Sequence, residues 1–215
     1  MLTGLLGGSF NPAHGGHRLI TRFTIEALGL DEAWWLVSPG NPLKKREGMA
    51  PLSARLKSAE LQSRRAPIIP TAIEQYLGTR YTLNTLRALK RRYPKRHFVW
   101  LMGSDNLAEF HRWRRWRDIA RMMPIAVIAR PGYNQAAMSS PAMAWLRRYR
   151  VSAVSFRNKG RLRLGSAPAL VLLRFDPDPR SATAIRRANA DWALDYRGAK
   201  PRDRLTFRTI AGLDE

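Results

Sequence analysis

The sequence contains no cysteine among its 215 residues. Without a thiol, the chain has no disulfide bond, no cysteine-ligated zinc or iron-sulfur site, and no cysteine nucleophile. It also lacks any apolar run near the roughly 20 residues that a transmembrane helix needs. Its first residues, MLTGLLGGSFNP, lack the cationic start of a signal peptide. We therefore expect a protein without a membrane partner that stays in the cytoplasm.

Acidic residues are scarce, with 16 of them against 38 basic residues, which gives a net charge of +22 and a pI near 11.6. Such an excess favours anionic partners. The basic residues are spread from Arg18 to Arg208, whereas nucleic-acid-binding proteins tend to gather them in one patch. An arginine-rich composition that covers every exposed face explains the charge equally well. Nucleic acid is therefore not the partner that we expect.

The length and the hydrophobic content of 45% suit a single α/β domain. Short apolar runs alternate with stretches of helical periodicity, which is typical of a parallel sheet. The predicted strands are 2–7, 33–37, 67–70, 97–102, 124–129 and 169–175, and the predicted helices are 14–30, 52–65, 81–92 and 140–149. The pattern predicts a Rossmann-like, doubly wound parallel sheet of five or six strands over residues 1–190. A small helical extension over residues 191–215 is expected to follow.

A glycine-rich segment, GGSFNPAHGGH, follows the first predicted strand at residues 7–17. Glycines let backbone amides approach a polyanion closely, and the next helix points its positive end to the same place. His14 and His17 are three residues apart and share one helical face. The spacing matches neither the dinucleotide-binding fingerprint nor the P-loop. A competing interpretation is an ordinary glycine turn whose histidines cap or pack against the helix.

A second candidate anion site is RSATAIR, at residues 180–186 after the last predicted strand. Ser181 is placed to cap a helix, and Arg186 falls one turn beyond Thr183 on the same face. Seen alone, this pattern also fits a capped helix with an exposed arginine.

A third candidate lies after the strand HFVWLM. Asp105 can accept hydrogen bonds from ribose hydroxyls, and Trp113 offers a flat face to a heteroaromatic ring. Trp116 competes for that role, and a half-buried surface tryptophan within the basic run HRWRRWR is the plain alternative. Tyr81 and Thr82 begin a predicted helix, whose free amides suit a carboxylate. Without further evidence, Thr82 is simply an N-cap.

The segment from Gly8 to His17 resembles G-G-[ST]-F-[DN]-P-x-H-x-G-H, the motif of bacterial nicotinate-nucleotide adenylyltransferases within the H-x-G-H nucleotidyltransferases. The 180–186 segment resembles their second motif, I-S-S-T-x-I-R, with Arg180 and Ala182 as the departures. The resemblance covers residues 2–190. Lys44 stands where that family commonly has a histidine, while Lys45 matches.

The resemblance implies adenylyl transfer from ATP to nicotinate mononucleotide, with release of pyrophosphate. It implies Mg²⁺ held mainly by the phosphates of ATP, and it leaves a homo-oligomer open. The implied catalytic residues are His14, His17 and Arg186. The implied ATP-binding residues are Gly7, Gly8, Ser9, Phe10, Lys45, Arg130, Ser181 and Thr183. The implied substrate-binding residues are Asn11, Tyr81, Thr82, Asp105 and Trp113.

Three alternatives remain at this stage. Nicotinamide mononucleotide or phosphopantetheine would be adenylylated by the same chemistry. The third alternative is a non-catalytic, arginine-rich nucleic-acid-binding protein, which would show salt-sensitive binding and no product from ATP.

Overall fold

The computed structural model describes residues 1–40, 48–129, 134–160, 167–175 and 181–210. These residues form a seven-stranded parallel sheet of order β3-β2-β1-β4-β5-β7-β6. The strands are β1 Leu2–Gly8, β2 Glu32–Val37, β3 Ile68–Thr71, β4 His97–Gly103, β5 Ile125–Ile128, β6 Arg150–Val151 and β7 Leu170–Leu173. None of the helices in these ranges combines the length and apolar composition that crossing a bilayer requires.

Helices connect the strands and cover both faces of the sheet. The α-helices are α1 Gly15–Leu28, α2 Leu52–Ser63, α3 Ile73–Leu77, α4 Thr82–Arg92, α5 Ser104–Glu109, α6 Trp116–Met122, α7 Asn134–Met138, α8 Pro141–Leu146, α9 Ala153–Gly160 and α10 Ala182–Ala188. Short 3₁₀ helices span Phe110–Arg112, Arg147–Tyr149 and Trp192–Tyr196.

Consecutive residues of the central strands are buried on opposite faces of the sheet. Trp34 and Trp35 of β2 are both 0% exposed, yet they belong to two different hydrophobic clusters. Leu5 and Leu6 of β1 divide in the same way. A parallel sheet covered on both sides requires such continuous apolar strands, because each face must be buried.

The strand order reverses direction between β1 and β4, which lie side by side at the centre of the sheet. In doubly wound sheets, a crevice opens beyond the carboxyl ends of the strands at that reversal. β1 ends at Gly7 and Gly8, and β4 ends at Gly103. The fold therefore brings the glycine-rich segment and the segment after β4 to one edge of the sheet.

The prediction of five or six strands was wrong by one. The additional strand, β6, has only two residues, Arg150 and Val151, and pairs with β7 at the edge of the sheet. Two residues are too few to show the period of a strand. The helix predicted for residues 140–149 instead consists of α8 followed by a 3₁₀ turn.

In the described part of the expected C-terminal extension, residues 191–210, the chain is helical only over the 3₁₀ turn Trp192–Tyr196. Gly198 follows with a φ of +71°, a left-handed conformation that ends a helix, and Pro201 lacks the amide hydrogen that a helix would need. The chain beyond this turn is held by other contacts.

Asp203 provides those contacts. Its carboxylate is 1% exposed and accepts hydrogen bonds from the Thr71 hydroxyl at 2.8 Å and the Ala72 amide at 2.6 Å. It also accepts from the amides of Leu205 and Thr206. The tail is thereby attached to the end of β3, immediately before α3.

Candidate active site

A cleft of about 560 Å³ lies beyond the carboxyl ends of β1 and β4. Every site residue predicted from the sequence that falls within the described ranges lines this cleft. Those residues are Gly7, Gly8, Ser9, Phe10, Asn11, His14, His17, Tyr81, Thr82, Asp105, Trp113, Ser181, Thr183 and Arg186. The other two predicted residues, Lys45 and Arg130, lie outside the described residues.

The glycine-rich segment is held in shape by aromatic rings. A Cβ atom added at Gly7 would come within 2.8 Å of the Trp100 ring, so a side chain at this position would collide with the indole. Phe10 has a φ of +47°, which is strained for any residue with a side chain. Its buried ring stacks on Trp35 at 5.1 Å between centroids. Packing of the Phe10 ring compensates for the strained backbone.

His14 and His17 lie at the start of α1 with their ring centroids 3.9 Å apart. The backbone N–H of His14 donates a hydrogen bond to Nδ1 of His17 at 3.2 Å. Because Nδ1 is an acceptor, a neutral His17 carries its proton on Nε2. The local backbone therefore selects the tautomer whose Nε2–H can donate a hydrogen bond.

Arg186 connects the two sequence motifs. Ser181 caps α10, because its Oγ accepts a hydrogen bond from the Ala184 amide at 3.1 Å. One turn later, the guanidinium of Arg186 donates to the carbonyl oxygen of Asn11 at 2.5 Å and to Oγ1 of Thr183 at 3.3 Å. Residues 175 positions apart in the chain thus meet at one wall of the cleft.

The side chain of Asn11 is used within the protein. Its Nδ2 donates to the carbonyl of Gly48 at 2.8 Å, and its Oδ1 accepts from the amide of Ala50 at 3.2 Å. Asn11 is buried, although it lines the cleft. Through these contacts, Asn11 connects the glycine-rich segment to the residues that precede α2.

Trp113, rather than Trp116, is the tryptophan at the cleft. Trp113 is half-buried and meets Trp100 and Phe110 edge to face, with centroid distances of 6.1 and 5.3 Å. Trp116 is 7% exposed and packs against Phe110 and Trp145 within the core. The structure therefore places the indole of Trp113, but not that of Trp116, where a ligand ring can reach it.

Tyr81 is the N-cap of α4, so the simple interpretation of Thr82 as the cap is wrong. No side chain hydrogen-bonds to the first amides of α4 as a cap. A helix start of this kind presents amide hydrogens and a positive dipole end to an anion. The guanidinium carbon of Arg114 lies 4.8 Å from the centroid of the Tyr81 ring.

Sequence reasoning missed four charged residues of the lining: Glu74, Arg80, Arg112 and Arg114. The basic run around Trp113 was a signal for two of the arginines. Glu74 had no such signal. Burial raises the pKa of the Glu74 carboxyl, and hydrogen bonds from Thr85 and Ser38 oppose that shift. Burial therefore favours the neutral form of Glu74, which is one of two carboxyl groups in the lining, the other being Asp105.

Arg55 of α2 is a buried cation directly behind the cleft. It is 1% exposed, and its guanidinium donates to the carbonyl oxygens of Ala50, Ser9 and Ser38 at 2.8, 2.7 and 2.7 Å. Burial lowers the pKa of Arg55 to about 10, which leaves it protonated at neutral pH. None of the ion pairs found among the described residues involves Arg55. Among the described residues, its hydrogen-bond partners are these three main-chain carbonyls.

Known proteins are similar to this chain over most of its length. A family model described as cytidylyltransferase-like matches residues 5–188. A curated relative from Erythrobacter litoralis, named "Probable nicotinate-nucleotide adenylyltransferase", is 67% identical over 210 residues, which cover 98% of this chain and 94% of the relative. A relative of the same name from Parvibaculum lavamentivorans is 51% identical over 191 residues, or 89% and 93% of the two chains.

A similar fold occurs in a solved structure. Nicotinic acid mononucleotide adenylyltransferase from Plasmodium falciparum, complexed with NaAD, superposes with a TM-score of 0.65. The match covers 92% of this chain and 97% of the other, at 14% sequence identity. At that identity the likeness establishes the fold, while the sequence relatives establish the family.

Proposed function

Because this chain belongs to the cytidylyltransferase-like family, and within it to the nicotinate-nucleotide adenylyltransferases, we propose that it transfers the adenylyl group of ATP to nicotinate mononucleotide. The products are nicotinate adenine dinucleotide, a precursor of NAD, and pyrophosphate. The observation that carries the proposal is the meeting of Arg186 with the glycine-rich segment and the histidine pair in one cleft.

The phosphate end of the cleft is suited to an in-line displacement. The phosphate of the mononucleotide attacks the α-phosphorus of ATP, the bond from that phosphorus to the bridging oxygen breaks, and pyrophosphate leaves. The attacking phosphate is already ionised near neutral pH, so no general base is needed. The protein aligns two polyanions and neutralises charge on the leaving group. We assign that task to His14, His17 and Arg186.

The amides around Gly7 and Gly8 are proposed to approach the phosphates of ATP, with Ser9, Ser181 and Thr183 adding hydroxyl donors. The opposing wall is proposed to receive the pyridine ring. Trp113 offers its indole face to the ring, and the start of α4 at Tyr81 and Thr82 offers amides to the nicotinate carboxylate. Asp105 also lines the cleft, which supports its proposed contact with ribose hydroxyls.

Mg²⁺ belongs to this proposal as a partner of ATP. Among the residues that the structure describes, no three His, Asp or Glu side chains gather into a metal-binding group. Mg²⁺ commonly binds through substrate phosphates with few protein ligands, so ATP oxygens suit it here. When bound, it would offset negative charge on the triphosphate. The arginines that line the cleft would then offset the remaining charge.

The test is incubation of the protein with ATP, Mg²⁺ and nicotinate mononucleotide, monitoring pyrophosphate and the dinucleotide together. Parallel reactions contain nicotinamide mononucleotide or phosphopantetheine in place of the nicotinate substrate. We expect the highest kcat/KM with nicotinate mononucleotide. A protein that releases no pyrophosphate with it, or that prefers phosphopantetheine, contradicts the proposal. A homo-oligomer remains a prediction, to be measured by sedimentation.

A further inference from the structure

Three exposed arginines, Arg80, Arg112 and Arg114, form the rim of the cleft beside Tyr81 and Trp113. We call this set the arginine rim. It lies at the end of the cleft to which we assign the pyridine ring, and not at the Arg186 end that we assign to the phosphates. Binding of the phosphates therefore does not explain the positive charge of the arginine rim.

Arg114 is the member of the arginine rim whose side chain contacts an aromatic ring of the cleft. Its guanidinium carbon lies 4.8 Å from the centroid of the Tyr81 ring, within the range of a cation–π contact. Tyr81 is the residue immediately before α4, and Trp113 is the neighbour of Arg114 in the chain. The Arg114 side chain therefore contacts Tyr81, and in the chain Arg114 directly follows Trp113, the other group that we propose to contact the pyridine ring.

A stacked guanidinium retains its hydrogen-bonding capacity. Its flat face packs on the ring, while its N–H groups point outward in the guanidinium plane and match the two oxygens of a carboxylate. The same cleft is lined by two carboxyl groups, Glu74 and Asp105, which are fewer than the three arginines, and burial favours the uncharged form of Glu74. The rim thus presents a net positive charge.

The positive dipole end of α4 already favours a carboxylate, and a full positive charge beside it strengthens the discrimination between nicotinate and nicotinamide. Backbone amides at the start of α4 can donate to an oxygen of a carboxylate or of a carboxamide alike. A fixed positive charge separates the two substrates, because only the carboxylate carries a negative charge. The amides at the start of α4 would therefore position the ring substituent, and a positively charged side chain would favour the substrate whose substituent is negatively charged.

We propose that Arg114 is a specificity-determining residue that favours the anionic nicotinate ring over the neutral nicotinamide ring. This inference rests on the proposed function and adds a side chain to it. Loss of the charge of Arg114 is expected to reduce the nicotinate preference about tenfold, which corresponds to about 1.4 kcal/mol.

The experiment compares kcat/KM for nicotinate and nicotinamide mononucleotides in wild type and in Arg114→Gln, at saturating ATP and Mg²⁺. We expect the ratio to fall about tenfold, with the loss on the nicotinate substrate. Arg114→Lys retains the charge without the planar guanidinium and is expected to recover part of the preference. Raising the salt concentration should lower the wild-type ratio and have little effect on that of Arg114→Gln.

Arg117→Gln is the matched control. Arg117 is also exposed, lies 4.5 Å from the Trp116 ring centroid in the same basic run, and is outside the cleft lining. Its substitution removes the same charge and the same kind of ring contact, so the substrate ratio should match wild type. An equal fall in both variants would show a general charge effect and overturn the assignment.

The outcomes separate the two proposals. If wild type converts neither mononucleotide, the proposed function fails. If wild type prefers nicotinate and Arg114→Gln keeps that preference, or loses activity equally with both substrates, the function stands and the assignment to Arg114 is overturned. If Arg114→Gln does not fold, the Arg114→Lys ratio and the salt dependence of wild type decide the question.

Discussion

Replacement of Arg55 by methionine tests a buried cation that lies directly behind the cleft. Methionine fills a similar linear space and removes all the hydrogen bonds that the guanidinium donates to Ala50, Ser9 and Ser38. These three carbonyls belong to different segments around the cleft. The substitution therefore probes whether one internal cation joins them.

The expected loss of stability follows from two opposing contributions. Each hydrogen bond from a charged donor contributes about 1.5 to 3 kcal/mol. Against this, the lowering of the Arg55 pKa to about 10 by burial corresponds to a desolvation cost of about 3 kcal/mol. The net loss for Arg55→Met is roughly 1 to 6 kcal/mol, or roughly 2 to 24 °C in Tm.

The assay is thermal unfolding of Arg55→Met beside Arg18→Met. Arg18 also donates to two main-chain carbonyls, of Gln62 and Arg64, but is only half-buried, so its loss should cost under about 1 kcal/mol. Since Arg55 keeps its proton in both the folded and unfolded states below pH 10 or so, its loss should be the same at mildly acidic and mildly alkaline pH. If Arg55→Met and wild type have the same Tm, the reasoning is refuted, because the free energy of the hydrogen bonds would then only offset the cost of desolvating the guanidinium.

Three further predictions concern the cleft. His14→Ala and His17→Ala should each lower kcat about 100-fold, as loss of one transition-state donor does; near-normal turnover in both would remove their assigned role. Arg186→Ala should raise the KM for ATP more than that for the mononucleotide, and equal changes would contradict its placement at the triphosphate. Because burial raises the pKa of Glu74, this residue stabilises the fold below about pH 4.5, and the stabilisation is lost as the pH rises through the raised pKa. The Tm of wild type should therefore fall relative to that of Glu74→Gln as the pH rises from about 4.5 through the raised pKa. If the two Tm-against-pH curves are parallel, the assigned pKa shift is wrong.

Much of the fold and of the cleft could be predicted because the signals are local. The apolar runs around Leu5 and Trp100 predict the central strands. A glycine turn followed by two histidines three residues apart can be recognised from the local sequence, without knowledge of tertiary contacts. The meeting of Arg186 with the glycine-rich segment was expected only through the resemblance, and the structure places them in contact.

The remainder depends on tertiary contacts. An arginine within an amphipathic helix predicts a solvent-exposed side chain, so Arg55 could not be identified as buried before its three carbonyl partners were located. Glu74 lies on a helix of only five residues, and its environment comes from Thr85 and Ser38 on other elements. β6 was missed for a different reason, since two residues define no period.

Because the buried carboxylate of Asp203 supports the start of α3, we expect proteolytic cleavage in the C-terminal tail to affect the cleft. A nick that releases Asp203 leaves the Thr71 hydroxyl and the Ala72 amide without their acceptor at the first turn of α3, the helix that carries Glu74 into the cleft. Amide deuterium exchange at α3 should then quicken, and trimming the tail would disturb substrate recognition although no reacting group has been removed.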